Sequence, residues 1–269
     1  MKQLLKQASV IIRMAWARSL VYRFSIVAYR VGEIAELLVL VLMWTAIYAS
    51  GTGTIKGFTL SEMITYVLIG NMISAIVRNF VASFVSRDIN EGRLSKFLIK
   101  PIPYARFIFF NEIGRAGFIM VFSVITQFIL LLFFLNKIVI NTDPLYLAII
   151  ALMIVFAFIT EWLIGFIIGC AAFWTDEVDG IQVSADRIKR FFSGGYFPLT
   201  LLPPTIATIG TYLPFAYSFF VPAQLYLKKV SIHQGVIGIG VQLLWIVILS
   251  VVLRIIWKKG LKKYEATGA

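Results

Sequence analysis

The stretch that decides the fold reads Ser193-Gly194-Gly195-Tyr196-Phe197-Pro198, continues through Leu202-Pro203-Pro204 and closes with Leu213-Pro214-Phe215-Ala216-Tyr217. It lies between long apolar segments. Proline removes a backbone donor, so a chain embedded in lipid can be broken there only where protein or water satisfies the freed polar groups. Four prolines and Gly210 between Pro198 and Pro214 leave no room for one straight crossing, whereas two half-helices fit. Residues 198–217 are therefore expected to form a re-entrant hairpin that enters and leaves the membrane on the same side.

Outward from this run the chain is apolar almost throughout. Of its 269 residues, 60% are apolar and 14% charged, and the mean hydropathy is +0.89. Globular domains carry charge on about a quarter of their residues, so these values specify an integral membrane protein. Apolar segments run roughly over Phe24–Ala49, Met63–Val85, Phe107–Leu135, Leu145–Trp174 and Val236–Trp257. Each is long enough to cross about 30 Å of hydrocarbon as a helix. Between Trp174 and Pro198 a further crossing is expected despite Asp176, Glu177, Asp179, Asp186, Arg187, Lys189 and Arg190.

Charge asymmetry argues for that sixth crossing. With six crossings, the basic residues at residues 2–23, 87–106 and 254–263 fall on one side and number fifteen. The other side carries Lys56, Lys137, Lys228 and Lys229. Cytoplasmic segments carry the excess of Lys and Arg, so both termini are placed in the cytoplasm. Five crossings would move the last basic cluster outside. The same distribution makes anionic lipid headgroups, not nucleic acid, the partner of the +12 net charge.

The first 23 residues are interrupted by Lys2, Lys6, Arg13, Arg18 and Arg23 and lack the apolar core of a cleavable signal. On a helix, Leu4, Ala8, Ile11, Ile12 and Ala15 share one face opposite Lys2, Lys6 and Arg13, a pattern expected of an amphipathic helix lying on the cytoplasmic leaflet. The expected fold class is thus an all-α integral membrane protein: one domain over residues 1–269, with an interfacial helix over 1–23, six transmembrane helices, a cytoplasmic loop over 86–104 and the hairpin over 198–217.

That loop has its own character. Asp88, Glu91, Arg93, Lys96 and Lys100 surround Ile89, Leu94, Phe97, Leu98 and Ile99, with Gly92 as a break and Pro101 and Pro103 as stops. A short amphipathic helix with a few apolar anchors suits a groove in a soluble partner. A helix resting on the headgroups is the plainer alternative, against which the acidic residues weigh.

Charges also fall inside the spans. At 1.5 Å per residue, Arg115 lies roughly 12 Å in from one end of its span, and Arg78 and Glu161 lie about 24 Å down from the other. With Glu33, Glu36 and Glu112 they form one charged layer from four spans. Ion pairs such as Arg115–Glu161 are the structural reading; a hydrated vestibule is the functional one. Asp186 and Arg190 are spaced to pair at i,i+4, leaving Arg187 to seek another partner or an anionic substrate. Arg187, Lys189 and Arg190 are therefore expected to line or border a translocation path.

Several chemistries are excluded. The dipeptide Gly-Lys is absent, so the chain holds no phosphate loop for ATP. His233 stands alone, which rules out HExxH zinc chemistry, and no catalytic triad can be assembled. Cys170, the single cysteine, falls in an apolar run and reads as a core residue.

Three patches carry a family resemblance: Asp88-Ile89 with Gly92-Arg93-Leu94 and Leu98-Ile99-Lys100-Pro101; Gly194-Gly195-Tyr196-Phe197-Pro198 with Leu213-Pro214-Phe215-Ala216-Tyr217; and the tail Gly260-Leu261-Lys262-Lys263-Tyr264-Glu265-Ala266 with Gly268-Ala269. In order and spacing the chain resembles the compact, six-span ABC-2-type transporter permeases, which lack an external domain. The resemblance implies a non-catalytic membrane subunit of an ATP-driven exporter in a bacterial or archaeal cytoplasmic membrane. It also implies a second permease, identical or related, and separate ATPase subunits that bind ATP and magnesium, with no cofactor in this chain. Asp88, Glu91, Gly92, Arg93, Leu94, Phe97 and Leu98 would then form the coupling element. A proton-coupled secondary transporter using Glu33, Glu36 or Glu161, or a membrane-embedded scaffold or enzyme, stand as the alternatives.

Overall fold

A computed structural model describes residues 2–51, 53–134 and 138–266. Lys137 of the charge inventory and Gly268-Ala269 of the tail lie outside the described residues, as do the side chains of Lys2, Arg23 and Glu265. Among the described residues the chain is helical, apart from one isolated bridge between Ile55 and Phe58.

The helices run α1 Lys2–Val21, α2 Arg23–Ala49, α3 Leu60–Val77, α4 Val81–Asn90, α5 Leu94–Leu98, α6 Tyr104–Phe134, α7 Pro144–Gly169, α8 Val178–Phe192, α9 Pro204–Tyr212, α10 Phe220–Tyr226 and α11 Ile232–Ala266. Five stretches are long and apolar enough to cross a membrane: Val31–Ala49, Leu60–Asn90, Tyr104–Thr126, Pro144–Phe173 and Ile232–Tyr264. The sixth expected crossing corresponds to α8. Its 15 residues rise about 22 Å, short of the hydrocarbon thickness, and it is too polar to count with the others.

Local chemistry sets the ends of these helices. Thr59 caps α3 in a reciprocal box with Glu62: the Glu62 amide donates to Thr59 Oγ1 at 3.3 Å, and the Thr59 amide donates to Glu62 Oε2 at 2.8 Å. Asp143 accepts from the Leu145 amide at 3.1 Å and is followed by Pro144 at the first helical position. Gly92, at φ +69°, makes the left-handed turn between α4 and α5.

The apolar face of α1 packs on protein. Ala8, Ile11 and Ala15 are buried, and α1 lies along α6. Gly114 allows the approach: a β-carbon there would meet the Ile12 carbonyl oxygen at 2.6 Å and Ala15 Cβ at 2.8 Å. Trp16 meets Phe118 edge to face at 5.3 Å between centroids.

Two cores hold the molecule. One joins α2, α3 and α10 to the Gly- and Pro-rich segment through Leu37, Trp44, Tyr66, Leu199, Phe219 and Phe220. The other is an aromatic knot at the opposite end: Tyr104 stacks on Trp257 at 5.5 Å, and Phe166 and Phe173 meet the same indole edge to face. Lipid tails are as apolar as these side chains, so close packing and internal hydrogen bonds carry the helix association.

Between α8 and α11 the chain never forms a long helix. A 3₁₀ turn at Leu199–Leu201, α9, a second 3₁₀ turn at Pro214–Ser218 and α10 follow one another. Their freed polar groups find side chains. Tyr66 Oη donates to the Gly194 carbonyl at 2.7 Å, Gln242 Nε2 to the Tyr217 carbonyl at 3.1 Å, and Trp245 Nε1 to the Tyr212 carbonyl at 3.1 Å; Gln242 Nε2 also reaches the Met153 carbonyl of α7 at 3.0 Å.

Candidate functional site

The second apolar stretch is not one helix. It breaks at Arg78-Asn79-Phe80, where Arg78 is extended at φ −60° and ψ 133°, and it resumes as α4. Asn79 Oδ1 accepts from the Val81 amide at 3.1 Å and starts the new helix. The Arg78 carbonyl accepts from Arg115 Nη2 of α6 at 3.0 Å. Arg115 is itself held by Glu112, with Nε 3.0 Å from both carboxylate oxygens, and its guanidinium lies 4.8 Å from the Phe80 ring centroid. The sequence contains no proline or glycine at this break; Asn79, a residue that caps helices, is the one local signal.

Against the break lies a polar cavity of about 400 Å³ between α2, α3, α7, α8 and the Gly- and Pro-rich segment. Glu161, Asp186, Arg187, Lys189 and Arg190 line it, together with Arg78 and Asn79. Three of the expected path residues are thus brought together, but their pairing differs from expectation. Arg115 does not reach Glu161. α6 packs on α1 and α3 while α7 packs mainly on α11 and α4, and Glu112 one turn back is the nearer acid.

Glu161 pairs instead with Lys189 at 3.0 Å, and Lys189 also reaches Asp186 at 2.7 Å. Nor do Asp186 and Arg190 pair. Arg190 turns to Glu36 of α2 and lies 4.8 Å from the Tyr196 ring centroid, while Asp186 is held by Lys189. Glu33 pairs with Arg78 at 3.0 Å. Arg187 is exposed, lines the cavity and has no ion pair among the described residues.

The expected coupling loop is folded tightly onto the aromatic knot. Asp88 accepts from Tyr104 Oη at 2.8 Å and faces Arg93 Nε at 3.1 Å, and Arg93 also meets Glu91 at 3.1 Å. Leu94 is fully buried in the chain's own core. Phe97 packs on Tyr104 and Phe107 at 5.2 and 4.8 Å, beneath the Lys100 ammonium. These two anchors are therefore spent inside the fold. The apolar side chains left outside are Leu98, 46% exposed, and Ile99, 87% exposed. Ser95 and Tyr264 hydroxyls lie 2.9 Å apart, tying α5 to the end of α11. That tie and the buried Gln242 escaped the sequence reading, although a lone glutamine in the last apolar run was a visible signal.

Cys170 is buried, and no group of three or more His, Cys, Asp or Glu side chains converges among the described residues. A family model described as ABC-2 family transporter protein matches residues 34–268. The comparison with curated proteins returns no match.

Proposed function

The chain belongs to the ABC-2 family of transporter proteins, a family of membrane components of ABC-type transporters, and on that premise we propose that it is the permease subunit of an ATP-driven exporter. In this reading α8 is the fifth of six crossings. Its deficit in length is made up by the turn after it, and residues 198–217 dip in and return on the outer side. The basic clusters around residues 87–106 and 254–263 then face the cytoplasm together with α1. A second permease, identical or related, would complete the path on the side of α8, where Arg187 awaits an anionic substrate group or a partner acid.

The observation that carries the ATP-driven reading is the outward pair Leu98 and Ile99. They stand on a rigid base made by Leu94, Phe97, Tyr104 and the Ser95–Tyr264 contact. Two exposed apolar side chains on a short, braced helix suit a groove in an ATPase subunit, which would bind the ATP and magnesium. The proton-coupled alternative is weakened by the pairing of its carriers, since Glu33, Glu36 and Glu161 each hold a basic side chain.

The test is a double substitution, Leu98→Asp with Ile99→Asp, purified with its ATPase. Interface anchors of this kind carry about 2 kcal/mol or more each. The variant is expected to insert normally and lose the ATPase. Retention of a stoichiometric ATPase would reduce the loop to one that rests on headgroups.

A further inference from the structure

On the other side of the Arg78–Phe80 break a second cavity, of about 430 Å³, opens between α1, α4 and α6. Phe80, Phe84 and Ile119 give it an apolar wall, and Arg18 and Arg87 stand at its rim. Arg78 and Arg115 lie deeper and are matched by Glu33 and Glu112. The rim arginines are exposed and have no ion pair among the described residues, so the cavity keeps a net positive charge. Asn111 lines it as well; it is 93% buried and makes no side-chain hydrogen bond among the described residues. Its amide is open to the cavity and free to bond whatever enters.

We propose that this cavity holds the phosphate of an anionic phospholipid. Arg18 and Arg87 grip the phosphate oxygens, with the planar, multi-donor geometry that guanidinium brings to that group. Asn111 bonds the headgroup or glycerol oxygens, and the start of an acyl chain runs along Phe80, Phe84 and Ile119. A soluble sugar phosphate would leave that apolar wall against polar groups. An amphiphile matches both parts, and the opening beside α1 is where a leaflet headgroup would lie. Arg78 and Phe80 also line the polar cavity, so the lipid sits directly behind its wall. The inference requires a membrane leaflet beside α1 but no ATPase, so its failure and the failure of the coupling reading are separable.

The purified full chain is exchanged into detergent holding equal phosphatidylcholine and phosphatidylglycerol, washed, and its retained lipid measured by mass spectrometry. Phosphatidylglycerol is expected to be enriched several-fold. Replacing Arg18 and Arg87 by Gln should abolish the enrichment, and Ile119→Trp, which fills the cavity at unchanged charge, should do the same. Replacing Lys258 and Lys259 by Gln removes equal charge elsewhere at that end and should leave the enrichment intact. Should the arginine double variant fail to fold, the Ile119→Trp result decides. Equal enrichment in wild type and Ile119→Trp overturns the proposal, as does an equal loss in the Lys258/Lys259 variant. Displacement of the lipid by inorganic phosphate alone would reassign the site to a free anion.

Discussion

Helical order is interrupted twice in the middle of this molecule, and the two interruptions are built in opposite ways. Between Ser193 and Tyr217 the break is covalent: prolines at 198, 203, 204 and 214 forbid a continuous helix whatever surrounds them. At Arg78-Asn79-Phe80 nothing in the backbone chemistry compels a break. It is held by Arg115, which arrives from α6 and donates to the Arg78 carbonyl, and by Asn79, which accepts from the first amide of the helix that follows. The first break is programmed and then satisfied; the second is created by its satisfaction. In lipid, where water cannot complete a broken ladder, both need donors from distant helices, but only the second depends on them for its existence.

The sharpest way to break the comparison is Arg115→Gln. It strands Glu112, which is fully buried, and takes the donor from the Arg78 carbonyl. Leaving one member of a buried pair costs about 3–5 kcal/mol. Thermal unfolding in detergent should drop accordingly and recover in large part when Glu112→Gln is added. A loss below about 1 kcal/mol would mean that the break stands without Arg115.

A smaller effect is expected at Gly165 of α7. A β-carbon there would lie 2.5 Å from Asn79 Oδ1 and 3.3 Å from Val81 Cβ, displacing the acceptor of the Val81 amide. Gly165→Ala should cost about 1–3 kcal/mol, as overpacking does. Combined with Asn79→Ala it should cost less than the sum of the two, because the clashing atom is gone; strict additivity in the double-mutant cycle would refute the contact.

The smallest effect belongs to the programmed break. Tyr66→Phe removes one neutral hydrogen bond to the Gly194 carbonyl and should cost about 1 kcal/mol, with cysteine accessibility along residues 198–217 unchanged. A change in that accessibility pattern would show that the proline-rich segment leans on its donors as heavily as the second break does.

The same division explains the ion pairs. Helix spacing placed Asp186 and Arg190 on one face of α8, yet Arg190 reaches across to Glu36 and Lys189 lies between Glu161 and Asp186. Spacing along one helix is a local property; which acid lies nearest in the assembled bundle is not. Leu94 and Phe97 make the same point. Their apolar character was legible, but whether it served a partner or the chain's own core depended on Tyr104, Trp257 and Tyr264 closing over them.

By itself the sequence determined what depends on short range: a helical membrane chain, five long apolar segments, a turn at Gly92, and a proline-rich segment that no single helix could cross. Those follow from hydropathy and backbone covalent chemistry, which act within a few residues. Tertiary structure alone decided the break at Arg78, the destination of each charged side chain, the burial of Leu94 and the exposure of Ile99. The break and the Glu33–Arg78, Glu36–Arg190 and Glu161–Lys189 pairs turn on groups more than ten residues away, whereas Arg115–Glu112 and Lys189–Asp186 are pairs three residues apart. The energy of a buried charge or an unpaired carbonyl is set by whatever neighbour the packing brings within hydrogen-bond distance.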